Sequence, residues 1–187
     1  YRQVLDLYAT SVDYNPKSKE SITFFKTVQN KLHYATNQQT AAETIHARAD
    51  AKKEFMGLTT FSGSMPVKAE TTIAKNYLTE DELFRLNRMV SAFFDLAEIK
   101  AREHTRMQMQ GWVAELDKFT GIYGKGILKD AGKISHDKAI EKAEKEYRKY
   151  QVKTLSPVEE SYLDTIKSVQ KHVGATLVVA PNAKGEK

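Results

Sequence analysis

The stretch that decides the fold is Thr79-Glu80-Asp81-Glu82-Leu83-Phe84-Arg85-Leu86-Asn87-Arg88-Met89-Val90-Ser91-Ala92-Phe93-Phe94-Asp95-Leu96-Ala97. It opens on a capping box: the Thr79 hydroxyl can accept the amide three residues on, and the Glu82 carboxylate can reach back to the Thr79 amide. Three acids in the first turn complement the helix macrodipole. Leu83, Leu86, Val90, Phe93, Phe94 and Ala97 then recur at spacings of three and four, the most apolar stripe in the chain. A long amphipathic helix to about Glu103 is expected, central to the fold.

The same periodicity extends in both directions. Upstream, Val4, Leu5, Tyr8 and Val12 form a stripe that Asn15-Pro16 ends, and from Ser18 the run Ile22, Phe25, Val28, Leu32 and Ala35 predicts a second helix. Thr40-Ala41-Ala42-Glu43 is another capping box, predicting a helix of about three turns to Ala51. Residues 55–67, with Gly57, Gly63 and Pro66, read as the longest loop, followed by a short helix around Ala69 to Leu78. Downstream, Thr105-Arg106-Met107-Gln108 can cap a helix carrying Trp112, Leu116 and Phe119, which stops near Gly121 to Gly126. A short helical piece to Ala131 follows, with Gly132 placed as a C′ glycine.

From Ser135 to about Thr154 the apolar positions narrow to Ala139/Ile140, Ala143, Tyr147 and Tyr150. Ser156-Pro157-Val158-Glu159 starts a matching helix with Leu163, Ile166, Val169 and Val173, its proline at the first helical position. Two narrow stripes joined by a tight turn read as an antiparallel helical hairpin. The expected architecture is therefore all-α, about seven helices: a compact multi-helix body over 1–132, a hairpin over 133–174 packed on or projecting from it, and a flexible tail over 175–187.

Composition agrees with that reading. The 187 residues are 41% hydrophobic and 10% aromatic, enough for a core, and nine Gly with four Pro are few for a sandwich or barrel. There is no cysteine, hence no disulfide framework, thiolate zinc site or cysteine nucleophile. No run reaches the roughly 18 apolar residues of a membrane span, and no signal-peptide pattern opens the chain, so a cytoplasmic protein without a membrane partner is expected. The chain begins at Tyr1, which suggests a fragment.

The net charge of +5 is unevenly placed. Residues 1–124 carry 16 basic and 15 acidic side chains, whereas 125–187 carry 13 and 9. The excess lies on the expected hairpin, where Lys142, Lys145 and Lys149 are candidate nucleic-acid contacts. There, Glu141/Lys145 and Glu144/Arg148 also satisfy the i,i+4 rule for a salt-bridged solvent face.

No motif specifies a reaction. Ser62-Gly63-Ser64 lacks the glycine and strand of a nucleophile elbow, and Gly121 to Gly126 lacks the strand and Lys-Ser/Thr of a phosphate loop. The histidines at 33, 46, 104, 136 and 172 form no metal-binding spacing, and neither metal nor cofactor is expected. The densest polar constellation is Glu43, His46 and Asp50, which a continuous helix would align on one face, with Arg48 beside them, His33 on the preceding helix and Thr59 in the 55–67 loop. Glu-x-x-His is the ligand pair of di-iron bundles, but those need it twice and it occurs here once. A mutually hydrogen-bonded face and a pocket wall both remain readings of this group.

Several of these segments carry a family resemblance: Tyr8-Ala9-Thr10-Ser11-Val12-Asp13-Tyr14, Val28-Gln29-Asn30-Lys31 with His33, Thr40-Ala41-Ala42-Glu43, Arg48-Ala49-Asp50, Met56-Gly57-Leu58-Thr59, Ala74-Lys75-Asn76-Tyr77-Leu78, Leu86-Asn87-Arg88 with Phe94-Asp95-Leu96-Ala97-Glu98, and Leu116-Asp117-Lys118-Phe119. Together they resemble the C-terminal part of the RhuM family of bacterial virulence-associated proteins. The resemblance implies a cytoplasmic bacterial protein, often encoded on mobile or pathogenicity islands, with an N-terminal part similar to phage-type DNA-binding regulators. It implies no reaction and transfers no catalytic residue. The leading expectation is a protein-interaction or self-association module serving that DNA-binding part. The alternatives are an enzyme or small-ligand or metal site at His33, Glu43, His46, Arg48, Asp50 and the 55–67 loop, and direct nucleic-acid binding by the basic hairpin.

Overall fold

The computed structural model describes residues 11–15, 17–103, 106–154 and 162–170. Among these residues there is no strand, and the chain is all-α. Its α-helices are α1 (Lys19–Asn37), α2 (Ala41–Arg48), α3 (Glu80–Arg102), α4 (Met109–Tyr123) and α5 (His136–Thr154), with a further helical stretch over 162–170. Three 3-10 turns, Glu54–Gly57, Lys68–Thr72 and Ala74–Tyr77, occupy the space between α2 and α3. The expected first helix, the Thr105 cap, the Ser156 capping box, the hairpin turn and the tail lie largely or wholly outside the described residues, as do His104 and His172.

The helix starts follow from local chemistry. Ser18 caps α1 by accepting from the Ser21 amide at 3.1 Å. Thr40 and Glu43 form the reciprocal box at α2, and Thr79 and Glu82 do the same at α3. These contacts satisfy amides that the first helical turn leaves without partners.

The core is built where α1, α3 and α4 meet. Phe24, Val28, Leu32 and Ala35 of α1 pack with Leu86, Met89, Phe93 and Ala97 of α3 and with Trp112, Leu116 and Phe119 of α4. Phe93 lies edge-on to Trp112 at 6.5 Å and within 5.7 Å of Phe119, arrangements favoured by the ring quadrupoles. Leu86, Phe93 and Ala97 of the expected α3 stripe are buried, Leu83, Val90 and Phe94 are partly buried, and Met89 joins them, but the helix that touches α2, α3 and α4 is α1, which takes the central place assigned to α3.

Other expectations are corrected by packing. In the first two turns of α1 the buried positions are Ser21 and Phe24, while Ile22 is 50% exposed and Phe25 half-buried; further along, Val28, Leu32 and Ala35 are buried as expected. Ser21 fits inward because its hydroxyl meets Ser18 and the Met109 sulfur. Helix α2 stops at Arg48, short of Ala51, because Ala49 is extended and the chain turns at Phe55, Met56 and Gly57, all with positive φ. The short helix around Ala69 to Leu78 is two 3-10 turns, and the piece ending at Ala131 is irregular. Gly132 does have a positive φ of 84°, but it ends no helix: it lets the chain pass Thr40, whose Cγ2 would lie 2.7 Å from an added Cβ.

A buried cation, Lys31, ties that irregular segment to the core. Its ammonium donates to Asp117 Oδ1 at 2.6 Å and to the Leu128 carbonyl at 2.9 Å, so the charge is met from two elements. Two compact units are distinguished, residues 1–147 and 148–187. In the first, Ala139 and Ala143 of α5 are fully buried, and Lys142 donates to the His46 carbonyl while Glu146 accepts from the Ala51 amide at 3.0 Å. In the second, the described residues are the end of α5 and the helical stretch 162–170. No described helix is long and apolar enough to cross a membrane.

Candidate functional site

The polar motifs between α2 and α3 hold one another. At the end of α2, Arg48 extends its guanidinium to the Tyr77 carbonyl at 2.7 Å and forms a two-pronged pair with Glu82, one prong at 2.7 Å. The Arg48 side chain is 24% exposed and Glu82 16%, so the pair is largely shielded from water. The Arg48 guanidinium beside Glu82 holds that carboxyl below the usual carboxylate range, against the effect of burial and with help from the Thr79 amide. The hydrogen bond to Glu82 in turn raises the Arg48 pKa further.

The 55–67 segment completes this clasp. The Asp50 amide donates to the Met56 carbonyl at 3.2 Å, and the Thr59 amide donates to the Asn76 carbonyl at 2.7 Å. The Thr59 hydroxyl lies against the Asn76 and Leu78 carbonyls. The Asn76 side-chain amide and the Tyr77 hydroxyl donate to Glu70 and Thr71 carbonyls at 3.0 and 2.8 Å. Burial raises the Tyr77 phenol pKa, keeping it a neutral donor. Met56 is fully buried and Glu70 accepts from the Ser62 and Val67 amides, so the long segment is stitched down rather than left as an open polar loop.

Gly57 is required in this clasp. At φ 82°, a Cβ there would stand 2.6 Å from the Arg48 carbonyl oxygen. Gly57→Ala combines left-handed strain with a backbone clash, and a loss of about 2 kcal/mol is expected. Urea unfolding at unchanged m-value measures it, and a loss below about 0.5 kcal/mol would show that the two chain segments are not tightly apposed.

The constellation read from the sequence is thereby divided. Arg48, Asp50 and Thr59 belong to the clasp, with Asp50 beyond the end of α2 and its carboxylate accepting from the Lys52 amide at 2.9 Å. The Glu43-His46-Asp50 row is not one helical face, because the helix ends first. His33 is 1% exposed on α1 with no hydrogen-bond partner for Nδ1, and burial lowers its pKa to about 4. Among the described residues, no three His, Asp or Glu side chains are grouped as a metal site would require.

Glu43 and His46 do share a cleft of about 590 Å³ between the end of α1, α2 and residues 127–134, with Tyr34, Gln39, Lys129 and Lys133. Glu43 is committed there: one carboxylate oxygen accepts from the Lys133 amide at 2.7 Å and the other from the Thr40 amide at 2.8 Å. Burial opposes its ionisation, but those amides, the Thr40 hydroxyl and the Lys133 charge outweigh it and hold the carboxyl below its ordinary range. On α5, Lys142 is tied to the His46 carbonyl, whereas Lys145 and Lys149 are exposed.

A second cleft, of about 420 Å³, lies between the start of α3 and the end of α4. Met89 is buried in its lining, while Phe84 and Tyr123 stand at 61% and 62% exposure beside Arg85, Arg88 and Lys125. Sequence reasoning passed over these residues because they fall off the buried stripe of their helices. Their off-stripe placement was itself the available signal: apolar side chains on a solvent face have no role in the core. Residues 55–67 line neither cleft.

Fold and geometry together define a small all-α domain whose polar motifs clasp its helices. The chain belongs to the Virulence protein RhuM family, whose model matches residues 1–157. No curated protein and no solved structure matches it significantly.

Proposed function

We propose that this RhuM-family domain is a protein-interaction or self-association module, serving a DNA-binding part of the same polypeptide that the family resemblance implies. The observation that carries this reading is the α3/α4 cleft with its exposed apolar rim. Phe84, Tyr123 and the neighbouring Ile122, at 72% exposure, are large apolar side chains left on the surface next to a concavity. Burying such side chains against a partner contributes about 1.5–3 kcal/mol each, and aromatic anchors in pockets dominate many interfaces. Of the side chains that an enzymatic reading would use, Arg48, Asp50 and Thr59 are engaged in the clasp, Glu43 is held by the Thr40 and Lys133 amides and His33 is buried, which favours recognition over chemistry.

Phe84→Ser with Tyr123→Ser tests it. Sedimentation of the 187-residue chain at micromolar concentration, and capture of cellular proteins on the immobilised chain, should show self-association or a retained partner. The double variant should lose that association at unchanged melting temperature. A wild-type monomer that retains no partner, or a double variant that associates equally well, would refute the reading.

A further inference from the structure

We infer that the α3/α4 cleft recognises an acidic protein segment bearing an apolar or aromatic anchor residue; this rests on the docking reading above and gives its partner a chemistry. The argument is charge complementarity. Arg85, Arg88 and Lys125 face the cleft together with Asp81 and Glu82. The Glu82 charge is already answered by Arg48, which is not among the lining residues, through the two-pronged pair. Lys125 also acts on Glu82, so with Arg48 counted the cluster sets four cations, Arg48, Arg85, Arg88 and Lys125, against Asp81 and Glu82, a local excess of two positive charges.

The cations are also held in place. Arg85 donates through Nη2 to the Tyr123 carbonyl at 2.8 Å, linking α3 to the end of α4. The Arg88 guanidinium sits 5.2 Å above the Phe84 ring, which presents charge and apolar surface side by side. A carboxylate entering between Arg88 and Lys125 would find two exposed cations, while an apolar neighbour on the same segment could rest between Phe84 and Tyr123. Aromatic and basic groups together also serve single-stranded nucleic acid. Here one face of Phe84 is covered by Arg88, Tyr123 packs on Phe119 at 5.2 Å, and Asp81 stands at the rim, so stacking surface and phosphate contacts are both few. The protein segment is favoured.

Fluorescence anisotropy of the 187-residue chain with labelled probes decides the matter. The probes are a peptide of sequence DELFDE, its charge-reversed counterpart KKLFKK, and a single-stranded oligothymidine. The acidic peptide should bind, weaken as salt screens the charges, and lose at least tenfold in affinity with Arg88→Glu plus Lys125→Glu, whereas Arg88→Lys should largely retain it. Both positions are exposed, and an unchanged melting temperature shows that the variants fold. No acidic-peptide binding up to millimolar concentration, equal binding of the two peptides, tighter binding of the oligonucleotide, or indifference to the charge reversal would each overturn the inference. If the acidic peptide fails while Phe84→Ser with Tyr123→Ser still abolishes association, only the partner chemistry is lost. If that double variant also has no effect, the docking reading falls with it.

Discussion

Arg48→Met should destabilise the domain by about 3 kcal/mol, seen as a lower urea midpoint at unchanged m-value. The substitution keeps the length of the side chain but removes the donors that meet Glu82 and the Tyr77 carbonyl. Glu82 would then be a shielded carboxylate without its main counter-charge, which costs more than the intact pair contributes. Glu82→Gln in the Arg48→Met background should therefore recover part of the loss, and a double-mutant cycle should give a coupling of about 1–2 kcal/mol. A single-variant loss below about 1 kcal/mol would place the pair among solvated surface ion pairs. The pH dependence has a definite sign. Because the folded Glu82 pKa is lowered, its contribution is present above the ordinary carboxylate range and fades as pH falls through the folded value.

His33 should give the domain a separate acid sensitivity at higher pH. Its folded pKa of about 4 lies below the reference 6.5, because burial disfavours the imidazolium. As pH drops below 6.5 the unfolded chain takes up the proton first, so stability falls; the loss saturates once pH passes below about 4. Across that window the cost is about 3 kcal/mol at roughly 1.4 kcal/mol per pKa unit. His33→Leu should flatten the stability profile between about pH 6.5 and 4.5, above the range where Glu43 and Glu82 contribute their own loss. Parallel urea midpoints for the wild type and the variant across this window would exclude His33 as the source.

Particular residues show which parts were legible beforehand. Thr40 with Glu43 and Thr79 with Glu82 announce their helices because a capping box is complete within four residues. Leu86, Phe93 and Ala97 announce the inward face of α3 because their burial follows the helical period. Phe25 and Ile22 misled because their spacing matches the period as well as that of Ser21 and Phe24. Which of two adjacent stripes turns inward depends on the neighbouring helix, and here the Met109 sulfur receives Ser21.

The candidate site was less legible, for a different reason. Arg48 and Glu82 are 34 residues apart, and Thr59 finds its acceptors 17 and 19 residues away. No local pattern records such pairings, so Arg48, Asp50 and Thr59 were available to either a pocket or a clasp. Likewise Asp50 aligns with His46 only if α2 continues, and its end is set by Gly57 passing the Arg48 carbonyl.

From sequence alone followed the all-α class, the capped starts of α2 and α3, the periodic core and the family. These rest on interactions within about four residues, or on motifs that are read in order along the chain. The tertiary structure decided that α1 is the central helix, that Arg48 answers Glu82, that His33 is buried, and that Phe84 and Tyr123 meet at one cleft. Each of those depends on chain segments brought together over long separations, where burial and charge pairing are set by the neighbour that arrives rather than by the residue itself.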